Sequence, residues 1–190
     1  MKYQCLKQEI YTQGQYFIGP LSLEEMMKIK VWRNQQMKVL RQNEILTDEH
    51  QVQYYEKIVK PTLYLEKPPL ILFGFRLIDE LIGYGGLTHI DWVSQRAEVS
   101  FLLKTERTYN IEQYCYDFSV YLKLLKQVAF EDLKFHRLFT ETYAIRTRHI
   151  QVLEDNDYQF EGRLREHVLI EDKFVDSLIH GCLGSGSNEV

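Results

Sequence analysis

The sequence predicts an α+β fold: a twisted, mostly antiparallel sheet with one splayed parallel strand pair and flanking helices. Three observations carry that expectation. Apolar residues recur at helical spacing through 22–60 and again through 112–133. Between them lie three short β-rich segments, 70–78, 81–90 and 96–103, separated by polar turns. Finally, a strand, a long helix and a second strand (96–103, 112–133, 137–145) follow one another, an order that forms a right-handed parallel crossover.

Each element has its own local signal. Ser22 with Glu25 three residues on reads as a capping box ahead of Met26, Met27, Ile29 and Val31. Thr47, followed by Asp48 and Glu49, reads as a second N-cap. Val52, Tyr55, Ile58 and Val59 then recur at helical spacing until Pro61 stops the run. Residues 70–103 form an antiparallel meander; the glycines of Gly83-Tyr84-Gly85-Gly86 lie inside a strand and mark a bulge or a close backbone approach. Tyr114, Phe118, Tyr121, Leu122, Leu125, Val128 and Ala129 define one face of the long helix. In 137–145, Phe139, Glu141 and Tyr143 point one way and Leu138, Thr140, Thr142 and Ala144 the other. A short helix around Ile150, Val152 and Leu153 and two strands, 160–170 and 174–182, complete the pattern. A single domain over 1–183 is expected, with 184–190 (GSGSNEV) a disordered tail.

Composition narrows the function. Twenty-three Lys and Arg against 27 Asp and Glu give a net charge of -4, which argues against binding to nucleic-acid phosphates. Cys5, Cys115 and Cys182 are too few and too scattered for a disulfide framework or a zinc site. His136, Arg137, Arg148 and His149 lack metal-ligand spacing, so no metal is expected. With no membrane-length apolar run and no signal-peptide pattern, a cytoplasmic protein is expected. The 13 Tyr, 10 Phe and 2 Trp against only 4 Pro imply either a large core or a cleft that grips a ligand. Tyr55, Phe118, Tyr121 and Phe139 fall on patterned core faces; Tyr84, Trp92, Tyr109, Tyr114 and Tyr143 fall where a cleft would lie.

The segments WRNQQMKVLRQNEILTDEHQVQYY, LIGYGGLTHIDWVSQRAEVSFLL and KFHRLFTETYAIRTRHIQVLEDNDYQFEGRLREHVLIEDKFVDSLIHG resemble the GCN5-related N-acetyltransferases (GNAT), over roughly residues 20–182. The branch resembled contains ribosomal-protein N-terminal acetyltransferases and acetyltransferases of amino-sugar nucleotides. The resemblance implies direct transfer of acetyl from acetyl-CoA to a primary amine. It also implies that pantetheine binds main-chain groups of Val99, Ser100, Phe101, Leu102 and Leu103, with a strand N–H stabilising the oxyanion. Arg107, Phe118, Ser119, Arg146 and His149 are implied cofactor contacts. Two departures stand out. The stretch 107–119 contains no glycine where the family places its pyrophosphate loop, and Glu112 and Asp117 sit where phosphate would bind. Leu153 occupies the position of the family's thiolate-protonating tyrosine, and Arg146 replaces an asparagine. A rebuilt loop that still holds a CoA thioester, another acyl donor, and a binding-only relative are the three explanations.

An amine protonated at pH 7 needs a base before it can attack. Glu98 and Glu141, each in an apolar strand beside the expected thioester, are the candidates, with ion pairing to Arg96 or Arg137 as the alternative. Tyr143 is the substitute thiolate acid. His89 is a second basic group, and Arg33, Asn34, Arg41 and His167 fall on the acceptor side, where Arg33 and Arg41 would receive a carboxylate or phosphate. The expected partner is a small-molecule amine, led by an amino-sugar nucleotide, with a protein N-terminus as the rival. Neither nucleic acid nor membrane is expected, and a homodimer is the assembly left open.

Overall fold

The computed structural model describes residues 2–184, so six of the seven residues of the expected tail lie outside the described residues. Ahead of the first predicted helix, β1 (Tyr11–Gln13) and β2 (Tyr16–Pro20) form a hairpin, a pair too short to announce itself by alternation. Helix α1 (Leu23–Gln35) begins as its capping box dictates: Ser22 Oγ accepts from the Glu25 N–H and Glu25 Oε2 accepts from the Ser22 N–H. Thr47 caps α2 (Asp48–Tyr54) by accepting from the His50 N–H. The helix then widens into a π turn, Tyr55–Val59, before the last short turn, α3 (Lys60–Thr62). A proline lacks an N–H and crowds the carbonyl four residues back, and the wider turn accommodates Pro61 without breaking the helix. The same widening changes the buried face. Gln51, Tyr55, Val59 and Thr62 face inward, whereas Val52 and Ile58, expected to be apolar contacts, are exposed.

The remaining elements follow the predicted order: β3 (Ile71–Leu77), β4 (Glu80–Asp91), β5 (Arg96–Leu103), α4 (Ile111–Lys126) with a π turn at Gln127–Asp132, β6 (Arg137–Tyr143), α5 (Thr147–Asp155), β7 (Gln159–Ile170) and β8 (Lys173–Leu183). The eight strands form one sheet in the order β1-β2-β3-β4-β5-β6-β8-β7. Every pairing is antiparallel except β5 with β6. That parallel pair has three rungs, Arg96–Arg137, Ala97–Leu138 and Glu98–Phe139, and then the strands part. The sheet therefore opens immediately after Glu98.

Alternation along β5 divides the core between two faces. Val99, Phe101 and Leu103 join the cluster under α4, where Phe101 stacks on Phe118 at 4.3 Å between ring centroids. Leu102 turns the other way and packs with Leu72 and Tyr84 against Met26, Ile29 and Trp32 of α1. Close approach explains two of the strand glycines: a Cβ on Gly85 would strike the Ser100 carbonyl and the Tyr121 hydroxyl, and Gly86 sits at φ +153° against the Ile71 carbonyl. Two aromatics assigned to the cleft lie elsewhere. Trp92 packs edge-on against Phe135 and donates to the Pro68 carbonyl, and Tyr109 is 77% exposed.

Candidate active site

Glu98 stands on the last rung before the strands part and is 8% exposed. Its expected alternative partners are engaged elsewhere: Arg96 pairs with Asp91 and Arg137 with Glu161. Arg41, from the loop after α1, instead donates to Glu98 Oε1 at 2.8 Å and lies 3.0 Å from Glu141 Oε2. Arg41 was expected to receive an anionic acceptor group, but these two carboxylates already occupy its guanidinium. Glu98 Oε2 meets His89 Nδ1 at 2.7 Å. In a regular strand residue 89 would face away from Thr88; the register shift between Thr88 and Asp91, with His89 at φ +47°, turns its ring onto Glu98. A second register shift, between Leu164 and Val168, accompanies the approach of His167 Nε2 to within 3.6 Å of Glu141 Oε1. Two carboxylates, one guanidinium and two imidazoles thus converge at the mouth of the opening.

The opening itself is a fissure lined by Glu98–Phe101 on β5 and Thr140–Tyr143 on β6. Among the described residues, the main-chain groups of β5 facing β6 beyond Glu98 have no ladder partner, and the buried Thr140 hydroxyl has no hydrogen-bond partner. Leu102 and Leu103, also expected to hold a cofactor, lie past this lining; Gln36 donates to the Leu103 carbonyl at 2.8 Å. The Tyr143 phenol is pushed up by burial and, less strongly, by Glu141, so it stays protonated.

On the α4–α5 side the fissure continues into a cleft of about 590 Å³, roofed by residues 34–39 and floored by the first turns of both helices. Lys38, Arg146, Arg148 and His149 line it, together with Thr108, Ile111 and Tyr114; among the described residues no carboxylate lines it, but Lys38 is already ion-paired with Glu171. Tyr114 Oη lies 2.7 Å from His149 Nδ1 and accepts from Arg146 Nη2 at 3.3 Å. Burial and then the charge of Arg146 hold His149 well below its usual value. That shift makes a prediction. A histidine depressed in the folded state binds fewer protons than in the unfolded chain, so stability falls as the pH drops below about 6.5. His149→Phe, which keeps the stack on Phe118, should show a smaller loss of Tm between pH 7 and pH 5 than the wild type. Equal losses would remove His149 as the cause.

Several further expectations need correction. Arg107 is not aimed at the cleft: its guanidinium grips Asp117, Nε to Oδ2 at 2.7 Å and Nη2 to Oδ1 at 3.1 Å. Asp117, read as an obstacle to phosphate, is fully buried and also accepts from Tyr16 and Gln113. Phe118 is fully buried between Phe101 and His149, and Ser119 accepts from Asn156, so neither reaches the cleft. Asn34 spends both ends of its amide on the 42–46 loop, accepting from Gln42 and Leu46 and donating to the Leu46 carbonyl. Sequence reasoning missed Lys38, Thr140 and Arg148, whose only signal is tertiary.

On the opposite face a pocket of about 460 Å³ lies between α1, α2 and β4, lined by Arg33, His50, Tyr54, Tyr84, Thr88 and Ser100 among others. Thr88 and Ser100 also line the fissure, so the two are contiguous. Arg33 Nη1 donates to Tyr84 Oη at 2.5 Å and Nε to Gln42 at 2.9 Å.

A sheet split beside a buried carboxylate, with a cation-lined cleft on one face and a pocket on the other, defines an acyltransferase site. Residues 19–179 match the family model for the acetyltransferase (GNAT) domain, and the chain belongs to that family. It is an acetyl-CoA-dependent N-acetyltransferase. The fold is also that of solved acetyltransferases. A Vibrio cholerae spermidine N-acetyltransferase in complex with CoA and spermine superposes with a TM-score of 0.70 at 17% identity, covering 91% of this chain and 98% of that one. A Vibrio fischeri ribosomal-protein-S5-alanine acetyltransferase gives a TM-score of 0.74 at 14% identity, covering 94% and 98%. Among the described residues, no helix is long and apolar enough to cross a membrane and no group of side chains could hold a metal ion.

Proposed function

We propose that the protein acetylates the primary amine of a small acceptor by direct attack, with Glu98 as general base. The observation that carries the reading is the opening of the sheet at Glu98, which sets a carboxylate at the mouth of the one place where β5 and β6 offer unpaired main chain. Acetyl-CoA supplies the activated acetyl group, and the residues present suit it. The free main-chain groups beyond Glu98 and the unpartnered Thr140 hydroxyl match an amide-bearing chain, and Arg146 and Arg148 match phosphates. Cations therefore take the place of a glycine-rich loop, which answers the missing glycines of 107–119.

Glu98 takes the proton of the bound ammonium, and His89, in contact with its other oxygen, offers a path to solvent. A main-chain N–H of β5 past Glu98 stabilises charge on the thioester oxygen. Tyr143, held protonated, donates to the departing thiolate. An amino-sugar nucleotide remains the leading acceptor, supported by the two tyrosines and the arginine of the 460 Å³ pocket. A homodimer is supported by the apolar side chains Phe160, Leu164, Leu169 and Phe174 exposed on β7 and β8.

Calorimetry with acetyl-CoA tests the cofactor reading. The wild type should bind, and an Arg146→Gln/Arg148→Gln variant should raise Kd roughly tenfold or more, two charge-assisted contacts being lost. No heat at millimolar acetyl-CoA would sink the proposal.

A further inference from the structure

We infer that the pocket between α1, α2 and β4 is an acceptor subsite for an anionic group, so that the substrate is an amine carrying a carboxylate or phosphate at a distance from the reacting nitrogen. The inference rests on the acetyl-transfer reading above and adds the acceptor's chemistry to it.

The site is dipolar along one strand. At the Thr88 end stand Glu98 and Glu141, with Arg41 shared between them. At the Tyr84 end stands Arg33, which among the described residues pairs with no carboxylate and bonds only to the neutral Tyr84 and Gln42. A guanidinium set into a pocket wall without a counter-ion is a ready partner for an anion, because a charge-assisted pair replaces water that it must otherwise keep. Among the described residues no carboxylate lines this pocket, and its other ionisable side chain able to carry positive charge is His50. A second ammonium group would therefore meet a cation and no acid, which disfavours a polyamine.

Spacing and shape agree. Tyr84 and Thr88 point to the same side of β4, opposite Leu102 and Glu98 respectively. Four residues of strand span about 13 Å, and that length sets the upper limit on the separation between the acceptor's amine and its anion. Tyr54 and Tyr84 supply aromatic walls for the connecting part of the molecule.

Release of the CoA thiol from acetyl-CoA, followed with two matched pairs of amines and spermidine, tests the assignment. The pairs are trialanine with its C-terminal amide, and glucosamine 6-phosphate with glucosamine. The anionic member of one pair should exceed its neutral partner about tenfold or more in kcat/KM, and the pair that shows it identifies carboxylate or phosphate as the source. Arg33→Gln should bring that ratio close to one, and Arg33→Lys should keep part of it. Spermidine ranking above both anionic amines, no preference in either pair, or a ratio that survives Arg33→Gln would overturn the subsite. If no amine releases thiol, the acetyl-transfer reading falls instead. The subsite is then decided by calorimetric binding of trialanine and glucosamine 6-phosphate. Weaker binding to Arg33→Gln of one of them supports the subsite, and equal or absent binding of both overturns it.

Discussion

Glu98→Gln should lower kcat by about 100-fold or more at neutral pH while the affinity for acetyl-CoA stays within a factor of two or so, the pattern of losing a general base. The substitution keeps the size of the side chain and an oxygen for Arg41, so the parallel rungs at Ala97 and Glu98 should persist. What it removes is the proton acceptor beside the opening. An alkylammonium of pKa near 10 has roughly one molecule in a thousand deprotonated at pH 7, and activity at the variant's level should climb steeply as the pH is raised. Two companions sharpen the reading. His89→Gln keeps a hydrogen-bonding partner for Glu98 Oε2 but cannot carry a proton onward, and a smaller loss of about tenfold is expected. Glu141→Gln leaves Glu98 in place and should cost less than Glu98→Gln. Steady-state rates for the three variants decide the matter: a wild-type rate in Glu98→Gln discards its role, and a larger loss in Glu141→Gln transfers the role to that residue.

The placement of Glu98 was legible because strand patterning is local. Ala97, Val99 and Phe101 announce a buried strand, and the interval to residue 137 announces a parallel return, so a carboxylate between them had to stand beside the junction. Its partner was not legible. Arg41 lies 57 residues away in an irregular loop, and nothing in the spacing of the chain brings it to Glu98 rather than Arg96 or Arg137. The same limit hid Lys38 and Arg148, which line the 590 Å³ cleft beside the expected Arg146 and His149. Asp117 is different, because a signal was present and pointed the right way. It lies three residues after Tyr114 and four before Tyr121, on the buried stripe of α4, where a carboxylate must find a cation inside the protein. Reading it as part of a surface loop made it an obstacle to phosphate; reading it as a stripe residue makes it the partner of Arg107.

Arg107→Met should consequently be a stability variant and not a binding variant. Removing the guanidinium leaves a fully buried carboxylate with only Tyr16 and Gln113 as partners, and breaking a buried pair in this way costs about 3–5 kcal/mol. For a chain of this length each kcal/mol lowers Tm by about 2–4 °C, so a fall of roughly 6–20 °C is expected. The double variant Arg107→Met/Asp117→Leu, which replaces both charges by apolar groups, should recover most of that loss, since the penalty lies in the unpaired charge more than in the missing bond. Thermal melts of the two variants and the wild type test the stability claim, and the KM for acetyl-CoA measured below the transition tests the functional one. A Tm within about 2 °C of wild type for the single variant, or a KM raised tenfold or more in the double, would return Arg107 to the phosphate cleft. The expected outcome, a lowered Tm with KM near the wild-type value, leaves Arg146 and Arg148 as the groups proposed to meet the cofactor's charge.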